Sequence, residues 1–370
     1  MMHDIKKSDE NHIKMVERSL VDTGNNYRIK KAMEKAGNGL ETTIAYLGGS
    51  ITEHYNADPD NCFAKLSCDY FSDKYGTGNN VRYVNAGMAG TSSTIGLIRA
   101  ERDVLKHKPD IIFVEFAVND RKEKTSMVAF ESLLIRLMGL DTEPAVVLVF
   151  MVSEGGYSCQ NEMVQIGMHY ELPMISVKDA IVLEFAEGRM EWKDYSNDYI
   201  HPHETGHQLI TELIIHYFDT VGNKAPDPVY TLPASTVYGN DFAELIMQDN
   251  TNAPVTAFGG FVPDTTISQF PNGWTHKAGT AGESFIMELQ CRNLFLLYKE
   301  SKNTETGSAD IYLDDIFVSA VNGYNSSGWN NPVVKLIFSY EISAMHRIEI
   351  KMSKGSENRE FSVLAFGYSN

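Results

Sequence analysis

The chain lacks long apolar segments and has few of the residues that mark membrane or disulfide-rich secreted proteins. No stretch approaches the roughly 20 consecutive apolar residues that a membrane-spanning helix requires. The opening run MMHDIKKSDENHIKMVERSL is too polar for a secretory signal. Only four cysteines occur, and their spacing fits neither a metal site nor a disulfide framework: Cys62, Cys68, Cys159 and Cys291. We therefore expect reduced thiols and a cytoplasmic protein.

Basic residues are also scarce. The 32 Lys and Arg residues are outnumbered by 49 Asp and Glu, which gives a formal net charge of −17. Nucleic acids and anionic membranes are bound through cationic surfaces, so both are excluded as partners. A neutral substrate fits this charge, although the same charge is equally explained by solubility. The 370 residues suffice for two domains, and the apolar share of 43% is that of a globular protein.

Apolar runs alternate with helical periodicity between residues 26 and 222. The runs at 44–47, 111–116 and 145–152 are typical of strands that are buried on both faces, and helical spacing follows each run. This alternation predicts an α/β domain in which a parallel sheet is covered by helices on both faces. Residues 1–25 are polar and show no pattern, so they are predicted to form a flexible N-terminal arm.

The sequence pattern changes after residue 222. The segment NKAPDPVYTLP (223–233) contains three prolines and is predicted to be a linker. Beyond it, apolar residues recur with a period of two between turns rich in Gly, Asn and Ser. This pattern predicts an all-β domain, a β-sandwich or jelly roll, over residues 234–370.

Residues suited to catalysis follow the predicted strand ends, where open α/β sheets bind ligands. The first strand ends in Gly48-Gly49, and the turn leaves the Ser50 side chain free. Asp198 and His201 are three residues apart before the last helix, so the carboxylate can hold one ring nitrogen while the other accepts a proton from Ser50. The remaining candidates offer donors to an oxyanion: Gly87, Gly90 and the Asn119 amide.

Four ordered blocks resemble the SGNH (GDSL-type) hydrolase family over about residues 27–220: GGSIT (48–52), NAGMAG (85–90), AVND (117–120) and DYIHP (198–202). The resemblance implies a flavodoxin-like three-layer α/β/α fold. It also implies Ser50 as nucleophile, His201 as base, Asp198 as its orienting group, and Ser50, Gly90 and Asn119 as oxyanion donors. Gly49 stands where the family usually has aspartate, and Ala117 where it usually has glycine. Neither departure removes a reacting group.

With its C-terminal β-domain and the run TGNNYRIKKAMEKA (23–36), the chain is similar to the intracellular carbohydrate acetylesterases, in particular the mannan O-acetylesterases with a jelly-roll domain. This resemblance implies a serine esterase that removes O-acetyl groups from plant-glycan oligosaccharides, from mannan first and xylan next, without a cofactor. We expect the β-domain to help recognise the glycan. Two alternatives remain: a lipid or thioester acyl hydrolase, and an inactive glycan-binding protein.

Several further residues have both a functional and a structural interpretation. Glu154 follows a strand and is a candidate substrate contact, although a solvated loop carboxylate has the same pattern. Trp274 and Trp329 are candidates for stacking on sugars, although aromatic residues of a sandwich also form its core. The spacing of His201, His203 and His207 resembles zinc ligation, but no fourth ligand is evident and no metal is predicted. The pair at 314–315 suits either calcium or a hairpin turn.

Overall fold

The computed structural model describes residues 10–280 and 283–370, and these residues form two compact units. The first unit extends to Ala243, and the second spans Glu244–Asn370. Each unit has its own hydrophobic core, in agreement with the change of sequence pattern in the last third of the chain. All four sequence blocks that resemble a hydrolase belong to the first unit.

The first unit contains a six-stranded sheet with the order β1-β6-β5-β4-β2-β3. Its strands are β1 (Leu20–Asp22), β2 (Thr42–Gly48), β3 (Val81–Gly87), β4 (Ile111–Glu115), β5 (Ala145–Phe150) and β6 (Met174–Ser176). Strands β2 to β6 pair in parallel, and only β1 runs antiparallel, against β6. Strands β2, β4, β5 and β6 are buried throughout, which explains their unbroken apolar runs.

Helices cover both faces of this sheet, as the alternating sequence pattern predicts. They are α1 (Glu10–Arg18), α2 (Tyr27–Gly37), α3 (Ser50–Glu53), α4 (Phe63–Tyr75), α5 (Ser93–Asp103), α6 (Lys124–Met138), α7 (Gln160–His169), α8 (Val177–Ala186) and α9 (Glu204–Gly222). Helices α2, α4, α8 and α9 share one core with the sheet, while α5 packs against α6 and α6 against α7. The predicted three-layer α/β/α fold is confirmed. Within the described ranges, no helix has the length and apolar character needed to cross a bilayer.

The structure corrects the predicted flexible arm for the part of it that is described. Residues from Glu10 onward form α1, whose Met15 is buried, and then the edge strand β1. A backbone hydrogen bond also ties this segment to the sheet: the N–H of Ser176 in β6 donates to the carbonyl oxygen of Ser19 at 2.6 Å. A helix of nine residues and a strand of three are too short to give a clear periodic signal. Residues 1–9 of the predicted arm lie outside the described residues.

The predicted linker also differs from the structure, because residues 223–243 belong to the first unit. The Asn26 side chain donates to the carbonyl oxygen of Ala225 at 2.9 Å and accepts the N–H of Asp227 at 2.7 Å. Further on, the buried carboxylate of Glu131 in α6 accepts the N–H groups of residues 237–239 at 2.6–2.9 Å. Side chains distant in sequence therefore anchor the proline-rich segment and the residues that follow it, and local composition does not reveal these contacts.

The second unit consists of antiparallel strands, so the predicted all-β domain is confirmed. Its strands are β7 (Ile246–Gln248), β8 (Val255–Ala257), β9 (Phe261–Asp264), β10 (Gly273–His276), β11 (Phe285–Ser301), β12 (Ser308–Leu313), β13 (Ile316–Asn322), β14 (Trp329–Met352) and β15 (Phe361–Ser369). The main path through the sheet is β13-β12-β14-β11-β15-β10-β9, with β7 on β15 and β8 on β11. Strands β11 and β14, of 17 and 24 residues, are far longer than the short strands that the sequence predicts. Register shifts interrupt their pairing, and such bulges allow long strands to bend around a core.

Burial and backbone geometry decide between the alternative roles predicted for Trp274 and for the pair Asp314 and Asp315. Trp274 is 1% exposed and packs on Phe285 in the core, with ring centroids 5.2 Å apart. Its ring is therefore not available to a sugar, which corrects the prediction that Trp274 binds substrate. Asp314 and Asp315 have φ angles of 51° and 67° and connect β12 to β13 as a two-residue hairpin turn. Their carboxylates bind His346 and Arg347 respectively.

Candidate active site

Ser50 lies where the buried strand β2 turns into the short helix α3. Positions 48 and 49 require glycine because a Cβ atom at either would collide with a neighbouring side chain. A Cβ atom on Gly48 would lie 2.1 Å from the hydroxyl oxygen of Thr52, and one on Gly49 would lie 2.5 Å from the amide oxygen of Asn119. Since Gly49 has a φ of −90°, its backbone is not in the left-handed region. The close approach of Asn119 thus explains why glycine occupies position 49.

A chain of hydrogen bonds joins Ser50, His201 and Asp198. The Ser50 hydroxyl lies 2.9 Å from Nε2 of His201, and Nδ1 of the same ring donates to Oδ2 of Asp198, also at 2.9 Å. The other carboxylate oxygen, Oδ1, accepts the N–H groups of Ile200 and His201 at 2.8 and 2.7 Å. The structure therefore brings together these three residues at the carboxyl edge of the sheet.

The Asp198 carboxylate is held in its charged form. Partial burial raises the pKa of this carboxyl group, but the N–H donors of His201 and Ile200, together with the imidazole, outweigh burial and lower the pKa to about 2. An ionised Asp198 keeps the proton of the neutral ring on Nδ1. Nε2 then faces Ser50 with its lone pair, as a general base requires.

Two residues that contact Asp198 and His201 are not among those predicted from the sequence. Asn56 donates from Nδ2 to Oδ2 of Asp198 at 3.1 Å, and the ring of Tyr55 lies 4.3 Å from the ring of His201. Asn56 has a φ of 65°, a conformation that asparagine tolerates better than most residues. Tyr55 and Asn56 also line a surface cavity of about 640 Å³ with His203 and Glu204. Both lie in a turn without periodicity, so pattern analysis could not find them.

The predicted oxyanion donors lie in two loops that contact the Ser50 turn. The Asn119 side chain lies against Gly49, in the position that a Cβ would occupy. Gly90 has a φ of 72° and is exposed. Its loop is fixed to the Ser50 turn because the N–H of Met88 donates to the carbonyl oxygen of Gly48 at 3.1 Å and that of Ala89 to the Glu53 carboxylate at 2.8 Å.

Three buried ionisable side chains lie near these loops: Glu115, Asp120 and Arg99. Burial raises the pKa of Glu115 to about 8 and that of Asp120 to about 7. Asp120 accepts the N–H of Ser93 at 2.7 Å, at the start of α5. Arg99 donates to the carbonyl oxygens of Gly48 and Ala86 at 3.0 and 2.8 Å, which ties together the ends of β2 and β3. Sequence analysis missed all three, although a charged residue inside the apolar run IIFVEFAV signals a buried partner.

The remaining predicted substrate contacts are Glu154 and Trp329. Glu154 is exposed, and its N–H donates to the carbonyl oxygen of Tyr199 at 2.9 Å, so it lies beside the loop that carries Asp198 and His201. Trp329 belongs to the second unit, where it is 53% exposed. Contact of either residue with a substrate stays a prediction.

The three histidines with zinc-like spacing have separate partners. His203 accepts the N–H of Gly206 at 3.4 Å and donates to the carbonyl oxygen of Lys193 at 3.0 Å, which caps α9. His207 accepts the N–H of Phe63 at 3.2 Å, and burial lowers its pKa to about 4. Across the residues that the structure describes, no three His, Cys, Asp or Glu side chains are grouped to hold a metal ion.

The fold of the first unit is matched by that of known proteins. Residues 46–209 match the model of the GDSL-like lipase/acylhydrolase family, so the first unit contains a domain of that family. No curated protein matches the chain. The chain is similar to the crystal structure of a two-domain esterase (CEX) active on acetylated mannans. The TM-score is 0.87 and the identity 27%, over 96% of this chain and 99% of that chain.

A second structure of a two-domain esterase (CEX), co-crystallised with mannopentaose, gives the same identity of 27%. The TM-score is 0.86, over 96% of this chain and 98% of that chain. Both domains are therefore matched, and not only the hydrolase domain. The domain family and the match along nearly the whole chain make the protein a carboxylic ester hydrolase.

Proposed function

We propose that the protein is a serine esterase that removes O-acetyl groups from plant-glycan oligosaccharides, with mannan as the first candidate and xylan the next. The observation that carries the proposal is the hydrogen-bonded chain from Ser50 through His201 to Asp198. Its substrate class rests on the similarity, over 96% of the chain, to an esterase described as active on acetylated mannans.

In the proposed mechanism, Ser50 attacks the acetyl carbonyl carbon while Nε2 of His201 takes the proton of its hydroxyl group. The negative charge moves to the carbonyl oxygen, where the N–H groups of Ser50 and Gly90 and the amide of Asn119 stabilise it. His201 then donates its proton to the sugar oxygen as the C–O bond breaks, which leaves an acetyl group on Ser50. Asp198 holds the ring in place and stabilises its transient positive charge.

Water completes the cycle through the same groups. His201 removes a proton from a water molecule, which attacks the acetyl-serine carbonyl carbon, and the oxyanion returns to the same donors. Collapse of this second intermediate releases acetate and returns the proton to the oxygen of Ser50. No step requires a metal or an organic cofactor, since the imidazole and the N–H donors supply the proton transfers and the charge stabilisation.

Mass spectrometry of acetylated manno- and xylo-oligosaccharides, before and after incubation, tests this proposal. The protein should remove acetyl groups without shortening the chains. Ser50→Ala should reduce the rate at least about 1,000-fold, because the nucleophile is lost. Ser72→Ala, on α4 and distant in sequence from the four blocks, serves as a control and should match the original protein. Retained activity in Ser50→Ala would refute the mechanism.

The two alternative functions predict other results. A lipid or thioester acyl hydrolase should cleave longer-chain nitrophenyl esters faster than the acetate. An inactive glycan-binding protein should bind oligosaccharides without reacting with a fluorophosphonate probe. The 2.9 Å contact between Ser50 and His201 favours a reactive serine over the inactive form.

A further inference from the structure

A buried carboxyl group contacts the turn that carries Ser50. Glu115 is the last residue of β4 and is 1% exposed. Its Oε2 atom accepts the hydroxyl group of Thr52 at 3.0 Å. The backbone N–H groups of Gly49 and Thr52 also lie near this carboxyl group and lower its pKa. Gly49 and Thr52 lie on opposite sides of Ser50 in the chain, one residue before it and two residues after it.

The strand ends are built to allow this contact. Gly48 is paired in parallel register with Glu115, and a Cβ on Gly48 would lie 2.1 Å from the hydroxyl oxygen of Thr52. Glycine at position 48 therefore lets Thr52 fold back over the end of β2 toward Glu115. The carbonyl oxygen of Thr52 is held as well, because Asn85 of β3 donates to it at 2.8 Å.

The carboxyl group is suited to a buried position because it can be neutral. Burial, with a smaller contribution from the nearby Asp120, raises its pKa to about 8, although the hydroxyl group of Thr52 and the N–H of Gly49 act to lower it. At neutral pH the group then avoids the large cost of an unpaired buried charge while one oxygen still accepts hydrogen bonds. Among the described residues, the other oxygen, Oε1, has no hydrogen-bond partner. A glutamine has the same shape and keeps the accepting oxygen.

We infer that Glu115 is a positioning residue for Ser50, and this inference rests on the proposed serine-esterase function. By accepting the hydroxyl group of Thr52 and attracting the nearby N–H of Gly49, it fixes the turn from Gly49 to Thr52. The Ser50 hydroxyl then stays within hydrogen-bond distance of His201, and the Ser50 N–H keeps its direction toward the oxyanion. Loss of the acceptor lets the turn shift, and small displacements of a nucleophile reduce the rate of the chemical step more than binding.

The test compares Glu115→Gln and Glu115→Ala in the full chain, with acetylated mannan oligosaccharides and a nitrophenyl acetate as substrates. Glu115→Gln should keep kcat within about threefold, because the acceptor remains. Glu115→Ala should lower kcat about 10- to 100-fold with little change in KM. Each assay is run well below the Tm of the variant concerned, so that loss of folded protein does not enter kcat.

Glu131→Gln is the matched control, because Glu131 is also a fully buried carboxylate of the first unit that accepts backbone N–H groups. Those groups belong to residues 237–239 and not to the Ser50 turn. The control should lower Tm but leave kcat unchanged. If Glu115→Ala is folded and keeps its kcat, or if both alanine and glutamine at position 115 lose kcat equally, the positioning role is wrong.

Thr52 provides a second route if Glu115→Ala does not fold. Thr52→Val removes the hydroxyl donor at nearly constant shape and should lower kcat several-fold, whereas Thr52→Ser keeps the donor and should not. Equal kcat for the two Thr52 variants would overturn the inference. A failure of the proposed function looks different, because the original protein and Ser50→Ala would then behave alike on the acetyl ester.

Discussion

The hydroxyl group of Ser50 lies 2.9 Å from Nε2 of His201, although 151 positions separate the two residues in the chain. The parallel sheet produces this contact, because β2 delivers Ser50 to its carboxyl edge and the loop before α9 returns His201 to the same edge. Asp198 is bound to the opposite ring nitrogen at 2.9 Å. The carboxylate therefore controls which ring nitrogen faces Ser50.

Replacement of Asp198 by asparagine tests whether the carboxylate determines which ring nitrogen of His201 carries the proton. Asp198→Asn keeps the size of the side chain but removes the charge that holds the proton on Nδ1. We expect kcat for acetyl esters to fall at least about 100-fold, with KM little changed. Asp194→Asn, which alters an exposed aspartate four residues earlier, should leave kcat unchanged. An Asp198→Asn variant with full kcat would show that the carboxylate does not orient the imidazole.

The fit between Gly49 and Asn119 gives a second prediction. In Gly49→Ala the new Cβ would lie 2.5 Å from the Asn119 amide oxygen, so the amide must move. If Asn119 stabilises the oxyanion, kcat should fall by about 10- to 1,000-fold, as when such a donor is lost. Gly37→Ala is the control, since its Cβ would lie an ordinary 3.6 Å from its nearest neighbour outside α2. Unchanged kcat in Gly49→Ala would argue against the Asn119 role.

The sequence predicts the parts of this site that depend on local pattern. The buried strands, the glycine turn at 48–49 and the four blocks are each visible in a few consecutive residues. The resemblance to a family supplied the roles of Gly90 and Asn119. By contrast, Asn56 and Tyr55 contact Asp198 and His201 only because two loops lie together in the fold. The local sequence pattern does not predict a contact between two loops.

Errors in the sequence analysis have the same physical origin. Trp274 is predicted as a candidate for stacking on sugars although aromatic residues of a sandwich more often form its core, because alternation does not say which face of a strand is covered. The linker prediction follows from three prolines, whereas the amide of Asn26 attaches that segment to the first unit and the carboxylate of Glu131 attaches the residues that follow it. Tertiary hydrogen bonds of this kind override local composition.

The raised pKa of Glu115 predicts a pH-dependent difference in stability. In the folded chain this pKa is about 8, against a usual 4.5. Between these values the folded protein keeps a proton that the unfolded chain has lost, so stability falls as pH rises through this window. The slope is at most about 1.4 kcal/mol per pH unit.

Glu115→Gln removes this titration, and other groups such as Asp120 and His207 are common to both proteins. Thermal unfolding at pH 5.5, 7 and 8.5 measures the effect. Relative to Glu115→Gln, the original protein should lose Tm progressively as pH rises toward about 8. Parallel Tm curves for the two proteins would show that Glu115 does not titrate in this range.

Tyr55 provides a test of the cavity beside His201. Its ring is 51% exposed, packs near His201 and lines the cavity of about 640 Å³. We expect the exposed part of the ring to contact the sugar, since aromatic faces pack well on apolar surfaces. Tyr55→Ala should raise KM for acetylated oligosaccharides about 5- to 10-fold, because the loss of one aromatic contact costs about 1 kcal/mol. The KM for nitrophenyl acetate, which carries no sugar, should change little. Tyr55→Phe should restore the original KM. Equal effects on both substrates would contradict a sugar contact.

The two tryptophans of the second unit should respond in opposite ways to replacement. Trp274 is in the core, so Trp274→Ala should destabilise that unit by about 3–5 kcal/mol. Trp329 is 53% exposed, and its backbone pairs with Ser301, as does that of Tyr324. Trp329→Ala should leave Tm nearly unchanged.

If Trp329 binds glycan, Trp329→Ala should weaken the binding of mannan oligosaccharides several-fold, whereas kcat for nitrophenyl acetate should stay the same. Isothermal titration with unacetylated manno-oligosaccharides separates binding from hydrolysis, because these ligands carry no ester. Tyr340→Ala, which alters another exposed aromatic residue on β14, is the control for a general loss of aromatic surface. Equal binding by the original protein and Trp329→Ala would show that Trp329 is not a main contact of the glycan, since stacked aromatic rings are among the residues whose loss usually weakens binding most.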